Sequence, residues 1–171
     1  MNIALRPHIQ DHLRRRVAEA RSLEELAWVG INHIKFDLGD RTRMTSGPIT
    51  TGGENDVRRN LHRLAWADYK LSHDYPVLDH GFFEPKIALF HHRRKASGAE
   101  GYYWEIIYDF YQPLFETGHV IELFMLPGWE SSLGCKEEKK ICERLGIRIT
   151  DLEPEFFDDM PAFGRQFALA A

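Results

Sequence analysis

The segment His119–Glu143 constrains the fold most, because it combines a buried strand, a sharp turn and the start of an amphipathic helix. Its first eight residues, HVIELFML, are mostly β-branched or large and apolar, as is typical of an interior strand. Pro127 and Gly128 end the strand, and Ser131 or Ser132 can cap the helix that follows. A strand, a turn and a helix in this order predict a unit of a parallel sheet covered by helices.

The helix after this turn carries a carboxylate on its apolar face. Ile141, Cys142 and Leu145 lie three, four and seven residues after Glu138, and Cys135 lies three before it. This spacing places all five residues on one helix face, which the apolar members predict to be buried. A carboxylate on such a face either caps or pairs with an interior group, or takes part in chemistry. Both interpretations of Glu138 are open at this point.

Composition limits the class of protein and its partners. The chain of 171 residues, 43% hydrophobic and 28% charged, suits one globular domain. A net charge of −4 argues against broad nucleic-acid binding, so no polymeric nucleic acid is expected as a partner. No apolar run is long enough to span a bilayer, and the first 20 residues lack the apolar stretch of a secretory signal, so no membrane association is expected. The two cysteines lie too far apart on one helix to form a disulfide, and a reduced pair predicts a cytoplasmic protein.

Periodicity predicts how the chain is organised. Residues 1–40 are expected to form an N-terminal helical extension, whose second helix begins with a capping-box pattern at Ser22 and Glu25. Residues 41–171 are expected to form an α/β domain with a doubly wound, mostly parallel sheet of the Rossmann or flavodoxin type. Strands are predicted at about 42–46, 75–78, 119–126 and 147–150, and helices at about 56–72, 102–115 and 132–145. The tail 153–167 is predicted to contain a short helix.

Three further segments admit a structural and a functional interpretation. The loop Ser46–Gly53 is rich in glycine and hydroxyl residues and precedes a helix that begins near Asn55 or Asp56. Such a loop either offers backbone amides to an anion or forms an ordinary turn. The sequence HHRRK at His91–Lys95 is predicted as an exposed basic loop, which either closes over an anionic ligand or only connects two elements. Asp109 is the central acid of an aromatic helix and lies either in solvent or beside a ligand.

Two motifs carry a resemblance to a known family: SGPITTGGEND at Ser46–Asp56 and LPGWESSLGCKEE at Leu126–Glu138. Together they resemble the nucleoside 2-deoxyribosyltransferase-like superfamily, which includes nucleotide N-glycosidases, and the second motif is most similar to its phage-type branch. The resemblance covers about Thr42 to Ile149. It implies cleavage or exchange of the N-glycosidic bond of a nucleoside 5′-monophosphate or a related nucleotide, without a cofactor or metal, by a homodimer or larger homo-oligomer.

The resemblance also implies roles for individual residues. Glu138 matches the nucleophile that attacks the anomeric carbon, and Asp109 is the best positional match for the acid that assists departure of the base. Ser132 corresponds to a residue that contacts the 5′-hydroxyl or 5′-phosphate, and Gly134 matches an intervening glycine. The loop that lies beside the sugar and base in the family corresponds here to Ser46, Gly47, Pro48, Thr50, Gly52 and Gly53.

The residue types agree with this chemistry. Glycosidic cleavage passes through an oxocarbenium-like state that a carboxylate stabilises or traps as a glycosyl ester, while a nearby acid protonates the leaving nitrogen. The helix N-terminus at Ser131–Gly134 favours an anionic 5′-phosphate. Ser132 strengthens this expectation because a second carboxylate at that position would repel the phosphate. A non-catalytic nucleotide-binding or sensing module that uses the same pocket is the alternative.

Overall fold

The structure is a computed structural model that describes residues 7–50 and 52–163. It has a three-stranded parallel sheet with the order β1, β2, β3, formed by β1 Thr42–Ser46, β2 Val120–Met125 and β3 Arg148–Asp151. Six α-helices lie within the described residues: α1 Pro7–Glu19, α2 Leu23–His33, α3 Val57–Leu71, α4 Glu84–Ala96, α5 Gln112–Phe115 and α6 Leu133–Leu145. The predicted mixed α/β class with a parallel sheet is confirmed. The open sheet of three strands is small, and the doubly wound topology stays a prediction.

Shorter helical segments complete the chain. A π-helix at Ile34–Leu38 extends α2, and a second at Ile106–Tyr111 leads into α5. Turns of 3₁₀-helix occur at His80–Phe82, Trp129–Ser131 and Pro154–Phe157. The last of these is the short helix predicted in the tail, and residues 164–167 of that prediction lie outside the described part of the chain. No helix within the described residues is long and apolar enough to cross a membrane.

Helices cover both faces of the sheet, because side chains of a strand alternate between its faces. Leu123 and Met125 of β2 belong to the main apolar cluster, to which α6 contributes Ile141. Phe124 instead packs in a separate cluster with Leu71 of α3. The central strand β2 is therefore buried on both sides, as its continuous apolar run predicts.

The N-terminal helices belong to the same main cluster. Leu13 of α1 and Leu26 of α2 are buried together with residues of β2 and α6. The predicted capping box has its first hydrogen bond, since the Glu25 backbone N–H donates to Ser22 Oγ at 3.2 Å. The domain boundary between residues 40 and 41 stays a prediction.

The segment 75–78 does not form the predicted strand. Val77 makes only an isolated parallel bridge to Arg43 of β1. The bridge rests on two backbone hydrogen bonds, from Arg43 N–H to the Pro76 carbonyl at 2.8 Å and from Leu78 N–H to the Arg43 carbonyl at 3.0 Å. Pro76 has no N–H to donate, so the ladder cannot extend toward the N-terminal side of this bridge.

The basic segment His91–Lys95 is also not the predicted loop, because it forms the last turns of α4. The helix begins with Glu84 and has Pro85 in its first turn, where a missing N–H costs nothing. Ile87 and Phe90 bury one side of it. Cations near a helix C-terminus interact favourably with the helix dipole, so the cluster of basic residues is compatible with a helix end as well as with a loop.

Candidate functional site

A cavity of about 330 Å³ lies at the carboxyl end of β1. Thr45 and Ser46 of β1 form part of its wall, and Gly134 and Glu138 of α6 form another part. Helices α3 and α4 and the aromatic segment 102–111 supply the remaining walls. In open α/β sheets the crevice outside the carboxyl ends of the strands is the usual place for a ligand. The volume falls at the lower end of the range of about 300–1,000 Å³ that is typical of small-molecule sites.

Glu138 lies in the cavity wall on the second turn of α6. Its side chain faces the core, as the apolar stripe predicts, and the residue is only 7% exposed. Ser46 Oγ at the end of β1 donates a hydrogen bond to Glu138 Oε2. Burial raises the pKa of Glu138 to about 7, although the Ser46 hydrogen bond and the charge of His80 favour the carboxylate. Glu138 can therefore lose or hold its proton near neutral pH, as a nucleophile or an acid/base group requires.

A buried pair of Asp68 and His80 lies in the same region. Asp68 Oδ2 accepts hydrogen bonds from the backbone N–H and the Nδ1 of His80, both at 2.9 Å, and Oδ1 accepts one from Thr45 Oγ1 at 2.6 Å. Burial by itself would lower the pKa of His80, but the Asp68 carboxylate, with Glu84 and Glu138, raises it to about 9. His80 is therefore an imidazolium at neutral pH, and it lines the cavity as a fixed positive charge beside Glu138.

Glu84, at the start of α4, brings a second carboxyl group to the cavity. Tyr111 OH donates to Glu84 Oε1 at 3.0 Å. Burial raises the pKa of Glu84, against the opposing effects of His80 and the Tyr111 hydrogen bond. Two acids with raised pKa values therefore line one cavity together with His80, which is an arrangement that can exchange protons with a ligand.

Tyr102 lies across the N-terminal turn of α6. A Cβ atom on Gly134 would collide with the Tyr102 hydroxyl, so only glycine allows this close approach. Cys135 lines the cavity next to them, and burial with the charge of Glu138 raises the pKa of its thiol to about 12. The thiol stays protonated at neutral pH, so Cys135 is a poor nucleophile.

The structure brings half of the predicted site residues to this cavity. Those that line it are Ser46, Gly47, Thr50, Gly134 and Glu138. Those that do not are Pro48, Gly52, Gly53, Asp109 and Ser132.

Asp109, the predicted acid for base departure, lies elsewhere. It is half-buried on the π-helix Ile106–Tyr111, and partial burial together with the charges of Glu24 and Glu105 raises its pKa. Its neighbours are thus acids outside the cavity wall, whereas Ile107 and Tyr111 of the same helix face the cavity. Glu84 lines the cavity, whereas Asp109 does not.

The two predicted anion-binding backbones are largely occupied by protein groups. In the first loop, Gly53 N–H donates to Ser131 Oγ at 3.0 Å, and Glu54 N–H donates to Asn60 Oδ1 at 2.9 Å. Asp56 caps α3 and accepts from two amides of its first turn, which confirms the predicted helix start. At α6, Ser132 is the N-cap and accepts from the Cys135 amide at 3.4 Å. These contacts favour the interpretation of both segments as ordinary turns and caps.

Sequence reasoning missed Asp68, His80 and Glu84. Asp68 had a usable signal, because it lies four residues after Leu64 and three before Leu71 and so shares their buried helix face. This is the same pattern that identified Glu138. His80 and Glu84 had no such signal, since both lie in or beside a short irregular segment that carries no periodicity.

No group of three or more histidine, cysteine, aspartate or glutamate side chains within residues 7–50 and 52–163 could hold a metal ion. The cavity lining contains two carboxyl groups, the His80 imidazolium, two further histidines, a lysine, and tyrosine and serine hydroxyls, which together suit acid/base and nucleophilic chemistry. Comparison of the chain with protein-family models, with curated proteins and with solved structures found no match.

Proposed function

We propose that the cavity binds a nucleoside 5′-monophosphate or a related nucleotide, and that the protein cleaves or exchanges its N-glycosidic bond with Glu138 as the nucleophile. The observation that carries this proposal is a buried carboxyl group, held by Ser46, in the wall of a cavity of ligand size at the carboxyl end of a strand. The resemblance of the motif LPGWESSLGCKEE to the deoxyribosyltransferase-like superfamily independently selects the same residue.

The reaction has two steps in which Glu138 gains and loses a bond. First, its carboxylate attacks C1′ of the sugar, the C1′–N bond breaks, and the bonding electron pair leaves with the base, which takes up a proton. Second, water or another base attacks C1′ of the glycosyl ester, the ester C1′–O bond breaks and releases the carboxylate, and the attacking group gives up its proton to the group that protonated the first base. The His80 imidazolium favours the ionised form of Glu138, and the Ser46 hydroxyl fixes the position of one carboxylate oxygen.

Glu84 is the better candidate for the proton donor to the departing base, since Asp109 does not line the cavity. Burial raises the pKa of Glu84, so it holds its proton to higher pH than an exposed glutamate. Tyr111 donates to Oε1, whereas Oε2 accepts no hydrogen bond from the described residues and can face a ligand. General acid catalysis of this kind typically contributes about 10²- to 10⁴-fold to a rate.

We also propose that the domain has the doubly wound sheet that the sequence suggests. Parallel strands with helices on both faces and a cavity at the carboxyl end of β1 are compatible with a doubly wound sheet, in which ligands bind at this edge.

The test is to incubate the protein with a panel of ribo- and deoxyribonucleoside 5′-monophosphates and to measure the release of free base by chromatography. Glu138→Gln keeps the size of the side chain and its ability to accept from Ser46, but it removes the nucleophile. We expect base release by the wild type and a loss of more than about a thousandfold in this variant. Glu143→Gln is the matched control, because Glu143 lies exposed on the same helix and should have no effect.

Two outcomes contradict the proposal. Base release that survives in Glu138→Gln would show that another group carries out the reaction. Binding of nucleotides with no base release by the wild type would instead favour a nucleotide-binding or sensing module. Added free base that becomes incorporated into product distinguishes exchange from hydrolysis.

A further inference from the structure

We propose that the cavity-facing side of α4 is an anion subsite in which Lys95, His91 and His92 hold the phosphate of the ligand. This inference deepens the proposed function and rests on it for the identity of the ligand as a nucleotide. It moves the phosphate away from the N-terminus of α6, where sequence reasoning placed it, and it fixes which end of the ligand enters the cavity first.

The first observation is that the type of side chain changes along the face of α4 that lines the cavity. The helix residues that line the cavity are Glu84, Ile87, Ala88, His91, His92 and Lys95. At 100° per residue they fall within an arc of about 140°, and they span about 16 Å along the helix axis. The residue types on this face therefore change from acidic, through apolar, to basic along the length of the cavity.

The second observation is that the side chains that line the cavity become more exposed in the same direction, from Glu84 toward Lys95. Glu138 and His80, which lie at the acidic end, are 7% and 3% exposed. At the other end His91 is half-buried, whereas His92 and Lys95 are exposed. A ligand with an anionic group at one end thus gains by leaving that group near Lys95 at the exposed rim, because the charge of His80 at the buried end is already paired with Asp68.

The third observation is that Lys95, His91 and His92 are not paired with an acid within the described residues. Burial and the charges of Lys95 and Arg94 lower the pKa of His91, so its ring serves as a neutral hydrogen-bond donor beside the charge of Lys95. Within the described residues, Lys95 and His92 form no ion pair or side-chain hydrogen bond, and the His91 ring only packs near Tyr103 at 5.7 Å between centroids. Their neighbour Arg94 has a structural role, since it donates to the carbonyls of Glu100 and Gly101. The Lys95 ammonium group and the imidazole N–H groups that face the cavity are therefore available to a ligand.

The competing anion sites are less suitable because their donors already have partners. Ser132 caps α6 and does not line the cavity, and Gly134 is covered by Tyr102. The amide of Gly53 is bound to Ser131. The α4 rim is the part of the described cavity wall that offers a lysine and two imidazole groups together.

The test measures dissociation constants by calorimetry for nucleoside 5′-monophosphates, the matching nucleosides and ribose 5-phosphate. A Glu138→Gln background prevents turnover. Lys95→Met keeps a long side chain but removes the charge. Arg93→Gln is the matched control, because it also removes one positive charge from an exposed position of α4, but Arg93 points about 180° away from the face that begins at Glu84.

We expect the Glu138→Gln protein with an unchanged α4 to bind monophosphates more tightly than nucleosides. Adding Lys95→Met should weaken the binding of monophosphates about tenfold without changing that of nucleosides. Arg93→Gln should change neither. A double variant His91→Ala/His92→Ala removes both imidazole donors and should also weaken the binding of monophosphates without changing that of nucleosides. Added salt should weaken monophosphate binding only.

Three results overturn the subsite: equal affinity for monophosphates and nucleosides, equal weakening of both by Lys95→Met, or an effect of Arg93→Gln as large as that of Lys95→Met. Absence of binding by every probe also overturns it. Ribose 5-phosphate separates the subsite from the proposed function. If it binds in a manner that depends on Lys95 while the wild type releases no base from any nucleotide, the anion subsite stands and the proposed function fails.

Discussion

Replacing Glu138 with glutamine should stabilise the protein at neutral and alkaline pH, because the buried carboxylate is costly to ionise. The pKa of this side chain is raised from an ordinary value of 4.5 to about 7 by burial. At about 1.4 kcal/mol for each pH unit between these values, the ionised carboxylate costs the folded state about 3 kcal/mol. Glutamine keeps the volume and an oxygen that can accept from Ser46, so it removes mainly this charge.

The pH dependence follows from the two pKa values. Below pH 4.5 the carboxyl group is protonated in the folded and the unfolded chain, so the stability difference between variant and wild type does not depend on pH. Between pH 4.5 and about 7 only the unfolded chain loses the proton, and the wild type loses stability relative to the variant. Above pH 7 both states are ionised, and the difference of about 3 kcal/mol is complete.

The measurement is urea unfolding followed by tryptophan fluorescence, at half-unit steps from pH 4 to pH 8. The comparison is cleanest below pH 6.5, because Glu138 is one of the charges that raise the pKa of His80 and its removal changes the titration of that histidine above this pH. Glu143→Gln, at an exposed position of the same helix, should give a curve parallel to the wild type. If the stability of Glu138→Gln also varies with pH in parallel with that of the wild type, the carboxyl group of Glu138 is not buried as described, and a pKa raised by burial is refuted.

Three further variants test other parts of the site. Asp68→Asn removes the charged partner of buried His80 and should destabilise the protein by about 3–5 kcal/mol in urea unfolding; a loss below about 1 kcal/mol would show that the pair is not buried. Gly134→Ala should cost about 1–3 kcal/mol, because its new methyl group meets the Tyr102 hydroxyl, and adding Tyr102→Phe should recover much of this loss; equal stabilities of the single and double variants would contradict that contact. Ser46→Ala removes a hydrogen bond that lowers the pKa of the nucleophilic carboxyl group, so the acidic limb of the pH profile for base release should move to higher pH; an unmoved limb would contradict this.

Local pattern was sufficient for several parts of the site. The apolar run of β2 and the stripe of α6 predicted a buried strand and a helix with Glu138 on its inner face, and both are present. The helix has Ser132 as its N-cap and Gly146 as its C-cap, and Gly146 adopts the left-handed conformation that costs glycine little. These features depend on spacing and on the stereochemistry of single residues, so they can be predicted without knowing what lies nearby.

Local pattern was not sufficient where two interpretations had similar local energies. The basic residues at His91–Lys95 are compatible with a loop and with a helix end. The helix forms because it buries Ile87 and Phe90. The segment 75–78 has the composition of a strand but makes only a single bridge to β1. Tertiary packing overrides propensity in such short segments.

The sequence by itself determined that a carboxylate of α6 faces the interior, because helical periodicity fixes the face on which a residue lies. Only the tertiary structure decided which groups meet that carboxylate. Ser46, His80 and Glu84 come from three separate segments, and their distances to α6 depend on how strands and helices stack. For the same reason the structure left Asp109 outside the cavity and placed Lys95 at its rim. Periodicity specifies orientation within one element, whereas convergence on a site is a property of the packed core.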